Sequence, residues 1–159
     1  MTGRYVAAGA GLLVVLAYAV LSGLWVGHDP GWYASLTKPA WQPPDVVFGV
    51  MWPLNFLALA VAVVVVALRA EPVRSMPVLV VLGLSVGCAL GWAYTFYVPH
   101  SLGTSATLLS SAAVLTWVLL ALSARAVPWT GWLLTPYALW MTVATSLAVG
   151  FWRLGGARG

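Results

Sequence analysis

Five stretches of this chain are each long enough to cross a lipid bilayer, and none of them carries a formal charge. They cover residues 6–26, 46–68, 78–98, 102–122 and 129–151. A hydrocarbon layer about 30 Å thick needs about 20 mostly apolar residues in helical form. Inside that layer each backbone N–H and C=O must be satisfied without water, and a helix does this within one segment. The pattern predicts an all-α integral membrane protein, a bundle of five transmembrane helices.

Composition agrees. Of the 159 residues 62% are hydrophobic and 6% charged, against about 25% charged in soluble domains. Seven basic and three acidic side chains cannot coat a water-exposed surface of this size. The basic residues are scattered, so the clustered patch that nucleic acid binding requires is missing. Arg4 followed by an apolar run to Ala17-Tyr18-Ala19 has the outline of a cleavable leader. The run continues to Val26, however, beyond the ~7–15 apolar residues of a signal. It is better read as the first span.

Connections are short except the first, residues 28–45, and neither a linker nor a second domain is visible. Residues 1–159 read as a single membrane domain. An odd number of spans puts Arg4, Arg69, Arg74 and Arg125 on one side and Lys38, Arg153 and Arg158 on the other. Four against three leans toward a cytoplasmic N-terminus, and both the orientation and the membrane stay open. Pro53 and Pro136 lie within spans two and five, where each removes a helix hydrogen bond and favours a kink. Pro53 also sits close enough to a helix start to cost little. Cys88, the one cysteine, excludes an intrachain disulfide and reads as a small core residue.

Residues 32–52 read WYASLTKPAWQPPDVVFGVMW. Three Trp, three Pro, a Tyr and the chain's one Lys fall in this short segment. Pro39, Pro43 and Pro44 fix φ and remove donors, which predicts a stiff, non-helical cover. Rings held on such a cover at the mouth of a helix bundle suit a flat, apolar ligand.

Trp32-Tyr33, Leu36, Lys38-Pro39, Trp41, Pro43-Pro44, Phe48 and Trp52 closely resemble the first-loop signature of the tryptophan-rich sensory protein / translocator protein family. That family was once called the peripheral benzodiazepine receptor family. The last span is similar too, in Pro136-Tyr137, Trp140, Ala144-Thr145, Leu147 and Trp152-Arg153-Leu154, as is Trp92 with Phe96 in span three. The resemblance covers nearly the whole chain and is to bacterial-type members. It implies a five-helix bundle that binds porphyrin, haem or other flat hydrophobic ligands beneath the first loop. It also implies a homodimer and a sensing or tetrapyrrole-handling role, with light-dependent porphyrin degradation and passive ligand transport as alternatives. The chain departs from the family pattern where Ala89, Ala148 and Gly155 replace Asn and where Phe56 replaces Tyr. Phe151 stands near the position of a Tyr in the sterol pattern of animal members, so sterol binding is not expected.

Residues three and four apart share a helix face. Leu133, Tyr137, Trp140, Ala144, Leu147 and Phe151 form one such stripe in span five; Phe48, Trp52, Asn55, Phe56 and Leu59 form another in span two. If the stripes face each other they make an aromatic slot capped by Tyr33 and Trp41. The expected ligand-binding set is therefore Tyr33, Lys38, Trp41, Pro43, Pro44, Phe48, Trp52, Asn55, Trp92, Phe96, Tyr137, Trp140, Ala144 and Leu147. In the enzymatic alternative, Trp52 and Trp140 are the catalytic indoles. The competing reading of the rings is an interfacial belt, which suits Trp25, Trp129, Trp132 and Trp152.

Four smaller features carry paired readings. Asn55 either meets the ligand or bonds a neighbouring helix. Lys38 either meets a ligand acid group or pairs with Asp29 or Asp45. Gly83, Gly87 and Gly91 either form a homodimer face or close packing within the chain. His28 and His100 read as solvent-facing loop residues rather than iron ligands. No metal-ligand spacing or nucleophile–base pattern is readable, so no metal or cofactor is required, and porphyrin or haem enters as ligand.

Overall fold

A computed structural model describes residues 2–156 of the chain. Five long helices are apolar enough to cross a membrane: α1 (Thr2–Trp25), α3 (Asp45–Arg69), α4 (Pro72–Tyr97), α5 (Leu102–Ala126) and α6 (Pro128–Gly156). No strand occurs among the described residues. The chain is an integral, multi-pass membrane protein.

Each helix exceeds its apolar run because the flanking residues suit helix ends. Pro72 and Pro128 open α4 and α6 at the first turn, where a missing N–H costs nothing. Span three therefore begins at residue 72, not 78, and continues through Pro77. Asp45 in the first turn of α3 and Arg69 in its last turn oppose the helix dipole.

The first loop is not wholly irregular, as its prolines suggested. Residues Pro30–Ser35 form a short helix, α2. Asp29 caps it, its carboxylate accepting the Trp32 N–H at 2.9 Å, and Pro30 occupies the first turn. Gly27 makes the bend that separates α1 from α2, at φ +85°, a conformation costly for other residues. Residues 36–44 carry no helix and lead through Pro44 into α3.

Around the bundle the order is α1, α3, α6, α5, α4 and back to α1. Tight packing fills the half remote from the loop, where Leu59, Val63, Val66, Val78, Leu82 and Leu134 are essentially inaccessible. Gly11 of α1 meets Val63 of α3 there so closely that a Cβ would collide with it. Ser85 and Thr116 share a hydrogen bond of 3.1 Å between α4 and α5 in this buried half. The other half, under the loop, is hollow.

Candidate functional site

Beneath the loop lies a cavity of about 550 Å³. Trp52 and Phe56 of α3 form one wall, stacked at 5.7 Å with 27° between planes, and the Tyr18 ring of α1 meets them edge-on. Trp92, Phe96 and Tyr97 of α4 with Phe151 of α6 form the other, Phe96 meeting Phe151 at 5.7 Å. Ala144, Leu147 and Ala148 of α6 line it between these walls. Tyr33, Pro30 and Gln42 roof it from the loop.

Helix periodicity explains the walls. Phe48, Trp52 and Phe56 are four apart on α3, as are Ala144 and Ala148 on α6. A small-residue edge formed by Ala19, Ser22 and Gly23 of α1 and Gly27 of the bend after it lines the same space and leaves room where rings would fill it. Reading the sequence for rings missed that edge; its three- and four-residue spacing was the available signal.

Of the fourteen residues expected at the site, seven line the cavity: Tyr33, Phe48, Trp52, Trp92, Phe96, Ala144 and Leu147. The other seven do not. Trp140 is buried behind the wall, edge-on to Trp52 at 6.4 Å and to Phe48 at 5.3 Å. Tyr137 and Asn55 lie deeper, almost fully buried. Asn55 Nδ2 has no hydrogen-bond partner, so it makes no bond to a neighbouring helix, and the residue stands outside the lining. Its neighbour Phe56 takes the place in the wall.

The loop residues need the most correction. Trp41 does not cap the cavity. It is 57% exposed, and its Nε1 donates to Ser146 Oγ on α6 at 3.2 Å. Gln42 faces inward in its stead and donates from Nε2 to the Tyr33 hydroxyl at 3.3 Å. Pro39 is buried against Gly150 of α6; Pro43 and Pro44 lead into α3 and line nothing. Lys38 pairs with neither Asp29 nor Asp45; its Nζ lies 5.3 Å from the centre of the Tyr33 ring. Burial pushes the Tyr33 phenol above its ordinary range. The Gln42 hydrogen bond opposes this, and the Asp45 carboxylate adds to it.

The histidines differ from each other. His28 is exposed, whereas His100 stacks on Trp32 and brings Nε2 to 3.9 Å from Asp29 Oδ2. This is the one ion pair among the described residues, formed when the imidazole is protonated. Neither histidine lines the cavity, nor does a Cys or Met, so the lining offers iron no nitrogen or sulfur ligand.

The glycine stripe divides. Gly83 and Gly87 face open space, but a Cβ on Gly91 would come within 3.2 Å of Leu108 on α5. Gly91 therefore serves close packing within the chain.

The fold and the site define a class of protein: a five-span membrane bundle with an aromatic, loop-covered cavity near one end. The chain belongs to the TspO/MBR family, whose pattern it matches over residues 10–153. It is 33% identical over 135 residues to protein CrtK of Rhodobacter capsulatus, covering 79% of this chain and 80% of that protein. It is 33% identical over 137 residues to the human translocator protein, covering 80% and 76%. It is 31% identical over 122 residues to the tryptophan-rich protein TspO of Bacillus cereus, covering 76% and 78%.

Proposed function

We propose that the protein binds a flat, hydrophobic ligand of porphyrin or haem type in the cavity and acts in sensing or handling such ligands. The observation that carries this reading is the space between the Trp52–Phe56 wall and the Trp92–Phe96 wall. Its size falls in the roughly 300–1,000 Å³ range of small-molecule sites. Ring pairs contribute about 0.5–1.5 kcal/mol each beyond area burial, so several rings together hold a macrocycle without a metal bond. The loop covers the space through Pro30, Tyr33 and Gln42.

A second reading has support in one contact. Trp52 lines the cavity and Trp140 touches it from behind, so an excited macrocycle would lie beside two indoles in series. That arrangement suits light-dependent porphyrin degradation. The five apolar runs contain no Asp, Glu, Lys, Arg or His, which argues against ion-coupled transport and leaves a passive route as the third reading. A homodimer through Gly83 and Gly87 of α4 belongs to the same proposal.

One experiment separates these readings. Purified protein is mixed with protoporphyrin and followed by tryptophan quenching and by absorbance, in light and in dark. Quenching without loss of the porphyrin bands supports binding and sensing. Loss in light alone, abolished by Trp52→Phe, supports the enzyme. Absence of quenching both by protoporphyrin and by its dimethyl ester refutes the cavity as a porphyrin site.

A further inference from the structure

We infer that the cavity holds a planar guest whose edge carboxyl groups are esterified or absent more tightly than the same guest as a free acid, with Asp45 as the residue that sets this preference. The inference rests on the porphyrin-type reading above and narrows it.

Asp45 carries the one formal charge among the described lining residues. It is exposed at the mouth, in the first turn of α3, beside Gln42 and Tyr33 of the roof. No Lys, Arg or His lines the space. The Lys38 ammonium lies over the Tyr33 ring, and His100 is held against Trp32 and Asp29. Arg153 and His28 are exposed and do not line the space.

A guest carboxylate has two places to go, and both are unfavourable. Deep between the rings it would lose water and gain no cation, a large cost for an ionised group. At the mouth it would meet a charge of its own sign. The start of α3 attracts anions through its dipole, but Asp45 already occupies that first turn as the negative partner. An ester or an unsubstituted edge meets neither penalty. The same rings would accept it fully.

The test compares protoporphyrin with its dimethyl ester in phosphatidylcholine nanodiscs, by tryptophan quenching, for wild type, Asp45→Asn and Lys38→Met. Partition into lipid is common to all three proteins, so the diacid-to-ester affinity ratio isolates the site. Asp45→Asn is expected to raise that ratio about three- to fivefold, the effect of one screened charge at short range. Salt at about 0.5 M should shrink the gain. Lys38→Met should leave the ratio unchanged. The inference is overturned if Asp45→Asn does not raise the ratio, or if Lys38→Met lowers it. Either result would leave porphyrin binding intact. If neither compound quenches the wild type, the porphyrin reading fails and the inference with it.

Discussion

The His100 imidazole lies flat on the Trp32 indole, 3.9 Å between centroids with 13° between planes. The two residues belong to different elements: Trp32 to the loop helix α2, His100 to the turn between α4 and α5. His100 holds this place at φ 56°, the one non-glycine at positive φ among the described residues. Its ring nitrogen also faces Asp29, the residue that caps α2. One side chain thus ties the cover of the cavity to the bundle through a ring face and a carboxylate.

The stacked rings are the contact that closes this tie, and such ring pairs contribute about 0.5–1.5 kcal/mol beyond area burial. His100→Ala removes the ring and leaves Trp32 without its stacking partner. Amide exchange of residues 30–36, in protein without ligand, should therefore be faster in His100→Ala than in wild type at one fixed pH. Equal exchange in the two proteins would show that the stack does not hold the loop.

A second seam ties the loop to α6. A Cβ on Gly150 would lie 2.7 Å from Pro39 Cγ and 3.1 Å from Trp41 Cζ2. Gly150→Ala gains about 0.8–1.0 kcal/mol of helix propensity. Against it, a stiff proline ring must move, at about 1–3 kcal/mol. The clash should win, so the variant should expose residues 36–42 to proteolysis while thermal unfolding of the bundle changes by only a few degrees. Resistance equal to wild type would mean that the loop absorbs the methyl without leaving.

Sequence periodicity made the spans and much of the cavity wall legible. Phe48, Trp52, Ala144 and Leu147 fall on faces that a repeat of 3.6 residues identifies, and a lipid-embedded helix has few other forms. What failed was finer than a helix turn. A step of one residue rotates a side chain by about 100°, so Phe56 lines the space while Asn55 is buried beside it. The loop has no period to read: Trp41, expected as a cap, turns to Ser146, and Gln42, which no pattern singled out, faces the space. The edge made by α1 and the bend after it was overlooked because Ala19, Gly23 and Gly27 contribute by being small.

Two alanines that stand where the family resemblance suggests asparagine give a direct contrast. Ala148 lines the cavity, whereas Ala89 is fully buried in the packed core. Ala148 is itself only 3% exposed, so Ala148→Asn directs an amide toward the cavity from a nearly buried position and should cost less stability than the same change at Ala89. Ala89→Asn buries an amide with no partner at about 1–3 kcal/mol, in addition to the overpacking. Thermal unfolding in detergent should separate the two by several degrees. Similar losses would mean that the space beside Ala148 closes in solution.

Asn55 tests the meaning of an unpartnered buried group. Its Nδ2 has no hydrogen bond, and the residue is outside the cavity lining. Asn55→Leu removes an unsatisfied donor while keeping similar volume, so stability should hold or rise by up to about 1 kcal/mol. Porphyrin quenching should be unchanged. A loss of stability together with weaker quenching would place Asn55 in contact with ligand or with a structural water.

The α4 glycines separate association from folding. Gly87 faces open space, so a leucine there meets nothing within the chain. If α4 pairs with a second copy through this face, Gly87→Leu blocks the backbone approach that small residues permit. The expected result is a shift from dimer to monomer in cross-linking and sedimentation, with helix content and thermal stability retained. Gly91→Leu acts on another target: its Cβ alone comes within 3.2 Å of Leu108, and the rest of the side chain would push α5 away from α4. That variant should lose about 1–3 kcal/mol of stability, as overpacked cores do. A Gly87→Leu protein that remains dimeric would move the association surface off this face of α4, whatever Gly91→Leu does to the fold.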